Sequence, residues 1–362
     1  MYIKYLNLLN FRNYDELNLE FNKNVNVIVG DNAQGKTNIL ESIYYCSVGK
    51  SHRTNRDREL IKWGKDQAYI KMYVCKEKLD KNIEIMILKE GKKAININRI
   101  KISKISELMG NVNVVMFSPE DLKIIKESPS YRRKFLDIEL CKISGNYYFN
   151  LVQYNKVLDE RNTLLKKYQN QNFKIMDVYD EQLSKYGSCV IKFREEYVKK
   201  LNEKGKIIHR DITNDSENIS FKYISPVKDI SNIKNEIREI LYKNRKNDIE
   251  RRTTTAGPHR DDLYIDINGI DVRCYGSQGQ QRTSALTIKF ASLEIIKDLI
   301  GEYPVLLLDD VLSELDEKRQ KYILNAVNNM QTLITGTGIQ NISDSTKKNV
   351  SVFNVVNGKV NI

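Results

Sequence analysis

Long apolar runs are missing from this chain. Nowhere in its 362 residues do about 18 consecutive apolar side chains occur, and the opening stretch MYIKYLNLLNFRNY meets polar residues before an apolar segment of useful length can form. A membrane-spanning or secreted protein is therefore not expected. Cysteine is scarce: Cys46, Cys75, Cys141, Cys189 and Cys274 are odd in number, and no two stand at C-x-x-C distance. That argues against a disulfide framework or a zinc site and suits a reducing, cytoplasmic setting. Only five prolines and seventeen glycines, with no low-complexity block, leave little room for a long disordered arm. At roughly 100 to 200 residues per domain the chain holds two or three folded domains. No internal repeat is visible, and no nucleophile or paired carboxylate marks hydrolysis of an ester, peptide or glycosidic bond.

What the chain does have is positive charge. Lys and Arg number 59 against 47 Asp and Glu, a formal balance of +12. Residues 1–120 carry +6, residues 121–250 another +6, and residues 251–362 none. A basic surface suits nucleic acid or an anionic membrane, although soluble proteins without such partners also reach this balance.

Texture changes along the chain. Alternation predicts strands around Tyr2 to Leu9 and Leu17 to Phe21, then an apolar strand Val25 to Val29. A glycine-rich turn and a helix follow, with Ile39, Leu40, Ile43 and Tyr44 at helical spacing. Strand texture returns from 68 to 117, with Glu90-Gly91 as a turn. Residues 130 to 205 hold few turn formers and place Leu151, Tyr154, Val157, Leu158 and Leu165 at helical spacing, which predicts a helical arm. Residues 208 to 225 read as polar loop, Asn232 to Tyr242 as helix, and Asp262 to Ile267 as strand. The continuous apolar run Val305 to Leu308 predicts a strand buried on both faces. A helix from about Lys318 to Asn328 and a last strand, Thr332 to Thr335, complete the expectation.

The turn Gly30-Asp31-Asn32-Ala33-Gln34-Gly35-Lys36-Thr37 has the spacing G-x-x-x-x-G-K-T. Its glycines let backbone N–H groups turn inward around a polyphosphate, Lys36 can reach the β and γ phosphates, and the Thr37 hydroxyl can ligate Mg²⁺. Asp309 ends the apolar run, where a carboxylate can hold the same Mg²⁺, and Asp310 is placed to orient or deprotonate an attacking water. The bland alternative for the aspartates is a helix N-cap after a strand. Lys36 and Asp309 stand far apart in the chain, so a large insertion must separate two halves of one site.

Tyr275-Gly276-Ser277-Gln278-Gly279-Gln280-Gln281 opens a helix whose apolar face is Leu286, Phe290, Leu293, Ile296 and Ile300. Ser277 and Gln280 fit an S-x-x-Q capping box. Alternatively, Ser277, Gly279 and the free N–H groups of the helix start receive an anion. The two readings differ in where the serine hydroxyl points.

Phosphate loop, GSQGQ helix start, Asp309-Asp310 and the following Ser313-Glu314-Leu315-Asp316 together resemble the ABC-type ATPase head shared with structural-maintenance-of-chromosomes proteins. Four further stretches resemble the RecF family of bacterial recombination mediators: Asn10-Phe11-Arg12-Asn13-Tyr14; Gly49-Lys50-Ser51-His52-Arg53-Thr54; Ser118 to Leu122 with Pro129 to Asp137; and Thr255 to Asp262. The match runs in order across nearly the whole chain. The resemblance implies an α/β fold, a mixed sheet with flanking helices in two lobes, residues 1–120 and 251–362, with an inserted helical arm domain at 121–250. It further implies ATP and Mg²⁺ as cofactors, with Arg12 and Asn13 near the nucleotide, and an ATP-dependent homodimer in which Ser277 and Gly279 of one subunit cap the γ-phosphate held by Lys36 of the other. Asp316 would help the two sites communicate.

The implied function is ATP-dependent binding of gapped or single/double-strand junction DNA in recombinational repair and replication restart. Recombinase loading and SOS induction would follow, with RecR as partner, RecO and RecA indirectly, and no membrane. Hydrolysis would be weak and DNA-stimulated. ABC-type heads usually place Glu after the strand aspartate; Asp310 is one methylene shorter, which predicts slow turnover. Transporter heads carry a histidine where this chain has Thr335-Gly336-Thr337, and the family's glycine before Ser128-Pro129 is Glu127 here.

Lys50, His52, Arg53, Arg56, Arg58, Lys62 and Lys65 crowd one stretch. By composition this is a solvated loop; the resemblance makes Lys50, Arg53, Arg56 and Arg58 DNA-phosphate contacts, which read no sequence. Arg132, Arg133 and Lys134 are a second candidate. His209 is given no role, and His259 with Asp261 and Asp262 lacks the spacing of a metal site. The runner-up is a chromosome-organising structural clamp, disfavoured because an arm of about 130 residues without sustained heptads is short for the coiled coil such proteins need.

Overall fold

The computed structural model describes residues 1–167, 174–338 and 350–361. Residues 168–173 of the predicted arm lie outside this range. The chain divides into two units, Met1–Asp121 with Leu286–Ile362, and Leu122–Ala285.

Two sheets build the first unit. One is antiparallel, in the order Tyr14–Glu20, Tyr2–Phe11, Gln67–Cys75, Lys81–Leu88, Lys93–Ile97 and Ile100–Ile102. Alternation explains it: Leu6 and Leu8 face Met72 and Ile70, which face Ile83 and Ile85 on the next strand, and all six are buried on one side. Asn98 and Arg99, both at positive φ, turn the chain between its last two strands, the conformation that a two-residue type I′ hairpin demands.

The second sheet runs Lys359–Asn361, Val350–Val356, Val25–Val29, Thr332–Gly336, Val305–Leu308 and Val114–Phe117. Only the Lys359–Asn361 edge is antiparallel. Val305–Leu308 and Val114–Phe117 are buried at every position, as strands covered on both faces must be. Thr332 opens a strand as expected, but it is not the last: two more follow. It inserts between Val25–Val29 and Val305–Leu308, a sheet order that chain order does not reveal.

The second unit is mainly helical, with Pro129–Ile143, Gly145–Lys167, the 40-residue Lys174–Thr213 and Ile233–Arg251. The stretch 208 to 225, expected as loop, is helix to Thr213 and then the strand Ile219–Ile224. Ile219, Phe221 and Tyr223 are buried, and the strand pairs with Asp262–Ile267, which pairs in turn with Ile270–Asp271. Flanking Asn, Asp and Ser hid the alternation, and the partner strand lies far along the chain. Residues 251–285, expected with the last lobe, belong to this unit, the second boundary falling within the helix Gln278–Ile300.

Buried ions tie these helices together. Arg161, wholly inaccessible, donates to Asp180 at 3.0 Å, Asp248 at 2.7 Å and Thr254 at 2.8 Å, while Arg245 meets Asp180 at 2.7 Å and Asp177 at 2.5 Å. Arg194 meets Asp137 at 2.7 Å and the Pro258 carbonyl at 2.6 Å. His259 Nε2 faces the Thr254 carbonyl at 3.0 Å and Nδ1 the Tyr154 hydroxyl at 2.7 Å. A carbonyl only accepts, so Nε2 carries a proton, and because burial lowers the ring's pKa, Nδ1 is left to accept from the Tyr154 hydroxyl. The GPHRDD stretch is thus a structural junction, and among the described residues no group of three His, Cys, Asp or Glu side chains could hold a metal.

Arg161→Ala, leaving Asp180 and Asp248 buried without their cation, is expected to lower the unfolding free energy by about 3–5 kcal/mol in urea titration. Burial pushes His259 down to about 4, so its contribution to stability is complete above pH 6.5 and is lost as pH falls from there towards 4. Burial pushes Asp261 up to about 6, which works oppositely, because the folded state gains protons as pH falls towards 3.8. Asp261→Asn removes that opposing gain, so its melting temperature should fall more steeply than wild type between pH 6 and 4.

Candidate nucleotide-binding site

The strand Val25–Val29 delivers the loop Gly30–Thr37 to the middle of the second sheet. Gly30 has φ 156, and a Cβ there would lie 2.3 Å from the Val355 carbonyl oxygen. Gly35, at φ 116, would place one 2.5 Å from Asn13 Nδ2. Neither position admits a side chain, so both glycines are required by packing as well as by turn geometry. Asn13 Nδ2 donates to the Gln34 carbonyl at 2.9 Å, Tyr14 Oη to the Gly35 carbonyl at 3.1 Å, and Asn357 N to Gln34 Oε1 at 2.5 Å. The loop is held by a hairpin turn, the strand that leaves it and a distant turn.

At the start of the helix Lys36–Val48, Lys36 is buried and its Nζ donates back to the carbonyls of Gly30 at 2.7 Å and Asp31 at 2.9 Å. Thr37 Oγ1 donates to Asp309 Oδ1 at 2.9 Å, joining residues 272 apart in sequence. Thr335, on the intervening strand, donates to the same oxygen at 2.9 Å and accepts from the Asp310 N–H at 2.9 Å. Asp310 sits at φ 51, a strained value for a branched-polar residue, and is half-buried.

Burial raises the Asp309 carboxyl pKa, against the pull of the Thr37 and Thr335 hydroxyls and with Asp310 adding like charge. A carboxylate this enclosed, beside a threonine hydroxyl and a lysine folded onto a loop of inward-turning backbone, fits a divalent cation and a polyphosphate. The sequence marked Thr335 only as standing where transporter heads carry a histidine, which does not predict its bond to Asp309. Only the strand order puts it between the two halves of the site.

Arg12 bonds Glu41 through Nε at 2.8 Å and Nη2 at 2.7 Å, and its Nη1 bonds the Glu59 carbonyl at 2.9 Å. Burial alone would raise the pKa of Glu41, but Arg12 and Ser51 Oγ, at 2.5 Å, outweigh it and hold the carboxylate below its ordinary range. Arg53 adds a bond to Asn38 Oδ1 at 3.1 Å. Sequence reasoning missed Glu41, which on a helix face reads as an ordinary acidic residue.

Of the basic stretch, Lys50, Arg53, Arg56 and Arg58 are exposed. His52 is not a comparable cation: it packs edge-on to Tyr44 at 5.4 Å and burial lowers its pKa. The second candidate is overturned at Arg132, which is 3% exposed and fixed to Asp262 by bonds of 2.7 and 2.8 Å. Glu127 is exposed, and its carbonyl accepts from Arg132 at 2.9 Å.

Ser277 and Gly279 lie in the second unit. Ser277 N donates to Gln280 Oε1 at 2.9 Å and Gln280 N to Ser277 Oγ at 3.2 Å, so the capping box forms in the free chain. Gln280 Nε2 reaches Glu217 Oε1 at 3.0 Å, and Glu217 Oε2 lies 3.3 Å from the buried His209, which sequence reading had given no role. Ser277 itself is exposed. Asp316 caps the helix Glu317–Ala326 by accepting from Arg319 N at 3.0 Å.

The phosphate loop, the strand order around it and the aspartate-ended strand define a P-loop ATPase head of the ABC type. The model of the RecF/RecN/SMC N terminal domain family matches residues 2–361. The chain is 63% identical, over 99% of both chains, to the DNA replication and repair protein RecF of Clostridium tetani. A solved structure of the recombination mediator RecF with ATP, from the RecFOR pathway, superposes with a TM-score of 0.91 at 40% identity, covering 99% of this chain and 98% of that one. The Smc head of Pyrococcus furiosus, at 16% identity and TM-score 0.56, covering 99% of this chain and 95% of that one, shares the fold. The chain belongs to the RecF family.

Because the Asp309 pKa is raised, its ionised form disfavours folding once pH exceeds that value. Asp309→Asn is therefore expected to raise the melting temperature of the nucleotide-free, metal-free protein, while abolishing any stabilisation by Mg²⁺ with nucleotide. Differential scanning calorimetry with and without both ligands checks the pair of signs.

Proposed function

We propose that this chain is an ATP-dependent DNA-binding protein of recombinational repair and replication restart, a dimerising switch that marks gapped or junction DNA for recombinase loading. The observation that carries the reading is the Thr37–Asp309–Thr335 cluster beside Lys36, joined across the full length of the chain. Family membership and the RecF–ATP neighbour support the identity of the ligand.

The residues Gly30 to Thr37 hold the triphosphate through backbone N–H groups, with the Lys36 ammonium released from the Gly30 and Asp31 carbonyls to face it. Thr37 and Asp309 would hold Mg²⁺, which would neutralise phosphate charge. Bound nucleotide supplies concentrated negative charge and a hydrolysable anhydride. Asn13 keeps the loop open at Gln34; Arg12 acts one layer back, fixing Glu41. Asp310 orients water, and its short side chain together with its strained backbone makes hydrolysis slow, as a switch requires. Ser277 and Gly279 of a second copy receive the γ-phosphate at the opening of their helix, and Asp316 lies beside the joint between copies. Lys50, Arg53, Arg56 and Arg58 contact DNA phosphates without reading sequence. RecR is the direct partner, with RecO and RecA downstream. None of the five cysteines forms a disulfide among the described residues, which suits the cytoplasm.

Sedimentation and DNA binding with and without ATP, at two salt concentrations, test this reading. Wild type should dimerise with ATP and hold DNA; Lys36→Ala should fail to respond to ATP; Ser277→Ala should bind ATP without dimerising; Asp310→Asn should dimerise and persist. Normal dimerisation of Ser277→Ala would reduce Ser277 to the helix cap seen in the free chain.

A further inference from the structure

Trp63 is the chain's only tryptophan and is 96% exposed. Scattered exposed apolar residues need no explanation, but a tryptophan almost wholly in water contributes nothing to a core. Its mount is rigid. Lys65 N closes the turn onto the Lys62 carbonyl at 3.1 Å, and Lys62 N bonds the Asn10 carbonyl at 2.8 Å. Arg12 N bonds the Leu60 carbonyl at 2.7 Å, Ile61 bridges Phe11, and Lys62 Nζ pairs with Asp15 at 2.6 Å. The turn is thereby stitched to the hairpin Tyr2–Glu20 through Asn10, Phe11, Arg12 and Asp15, and presents the indole outward.

Charge identifies the occupant. Lys65 adjoins the turn, and Arg56 and Arg58 lie a few residues before it, all exposed. A protein-docking tryptophan is expected within an apolar patch, whereas here its chain neighbours are Lys62, Gly64, Lys65 and Asp66. An exposed aromatic plane with Lys62 and Lys65 on either side of it in the chain suits a nucleobase whose flanking phosphates meet Lys, because every base offers a π face and the contact is indifferent to sequence.

We propose that Trp63 stacks on an unpaired base of bound DNA and supplies the discrimination between gapped and continuous duplex that phosphate contacts cannot. In a continuous duplex each base is already stacked on both faces; at a gap or junction one face is open. This rests on the reading that the chain binds DNA, and it adds the residue that recognises where single strand begins.

Because Trp63 is the sole tryptophan, emission of the full-length chain reports on it alone. With ATP, an unlabelled duplex carrying an oligo-dT gap, its ends closed by hairpins, should quench the emission and shield Trp63 from acrylamide. A continuous duplex with the same closed ends should do neither. In anisotropy with fluorescein-labelled versions, Trp63→Ala should lose about tenfold of its affinity for gapped DNA while keeping its affinity and salt dependence on continuous duplex. Trp63→Phe should retain most of the preference. Anisotropy that rises with unaltered emission and acrylamide access, or a Trp63→Ala protein that keeps the preference, overturns the proposal and leaves DNA binding intact. If the anisotropy of neither labelled DNA rises, both readings are overturned.

Discussion

One hydrogen bond, from Thr37 Oγ1 to Asp309 Oδ1 at 2.9 Å, is what the nucleotide site depends on. It exists only because the strand Thr332–Gly336 lies between those that deliver the two residues, with Thr335 satisfying the same carboxylate oxygen and anchoring the Asp310 N–H. The carboxylate is buried, and burying a charge without partners is costly. Two hydroxyls supply those partners by donating to the same carboxylate oxygen. The chain can therefore accommodate a long insertion between its phosphate loop and its aspartates without loosening the site, since parallel strand register, not chain proximity, sets the geometry.

A second constraint runs sideways from that site. Glu41, inside the helix that begins at Lys36, binds Arg12 and Ser51, while Asn38 one turn earlier binds Asn13 and Arg53. The same helix thus touches the phosphate loop through Asn13 and the basic stretch through Ser51 and Arg53. Movement at one end of this set must be felt at the other, because the buried carboxylate cannot lose its guanidinium without strong destabilisation. That is a physical route by which the phosphate loop and the basic stretch of the first unit bear on each other.

Legibility in the sequence followed chemistry that is local. Val305 to Leu308 was readable as a doubly buried strand, and Gly30 to Thr37 as a phosphate loop, because each signal lies within a few consecutive residues. Ile219–Ile224 was not, since its alternation is short and its partner strand begins at Asp262. Arg132 looked like a cation free for DNA; its partner Asp262 lies 130 residues away. Glu41 carries no motif and Thr335 marks only a missing histidine, and the importance of both comes from what surrounds them. Ser277 stood between two readings, and the free chain shows the capping one, with its hydroxyl oxygen accepting from Gln280 N while the residue stays exposed.

By itself, the order of residues determined the kind of chemistry this protein can do: a loop built for phosphates, aspartates at a strand end, and a positive excess confined to its first two-thirds. Those follow from side-chain type and spacing, which are local. Only tertiary structure decided which charges are available and which are spent, because pairing depends on groups that folding brings together. It turned Arg132, Arg161 and Arg194 into internal struts, left Lys50, Arg53, Arg56 and Arg58 in water, and set one tryptophan outward into solvent.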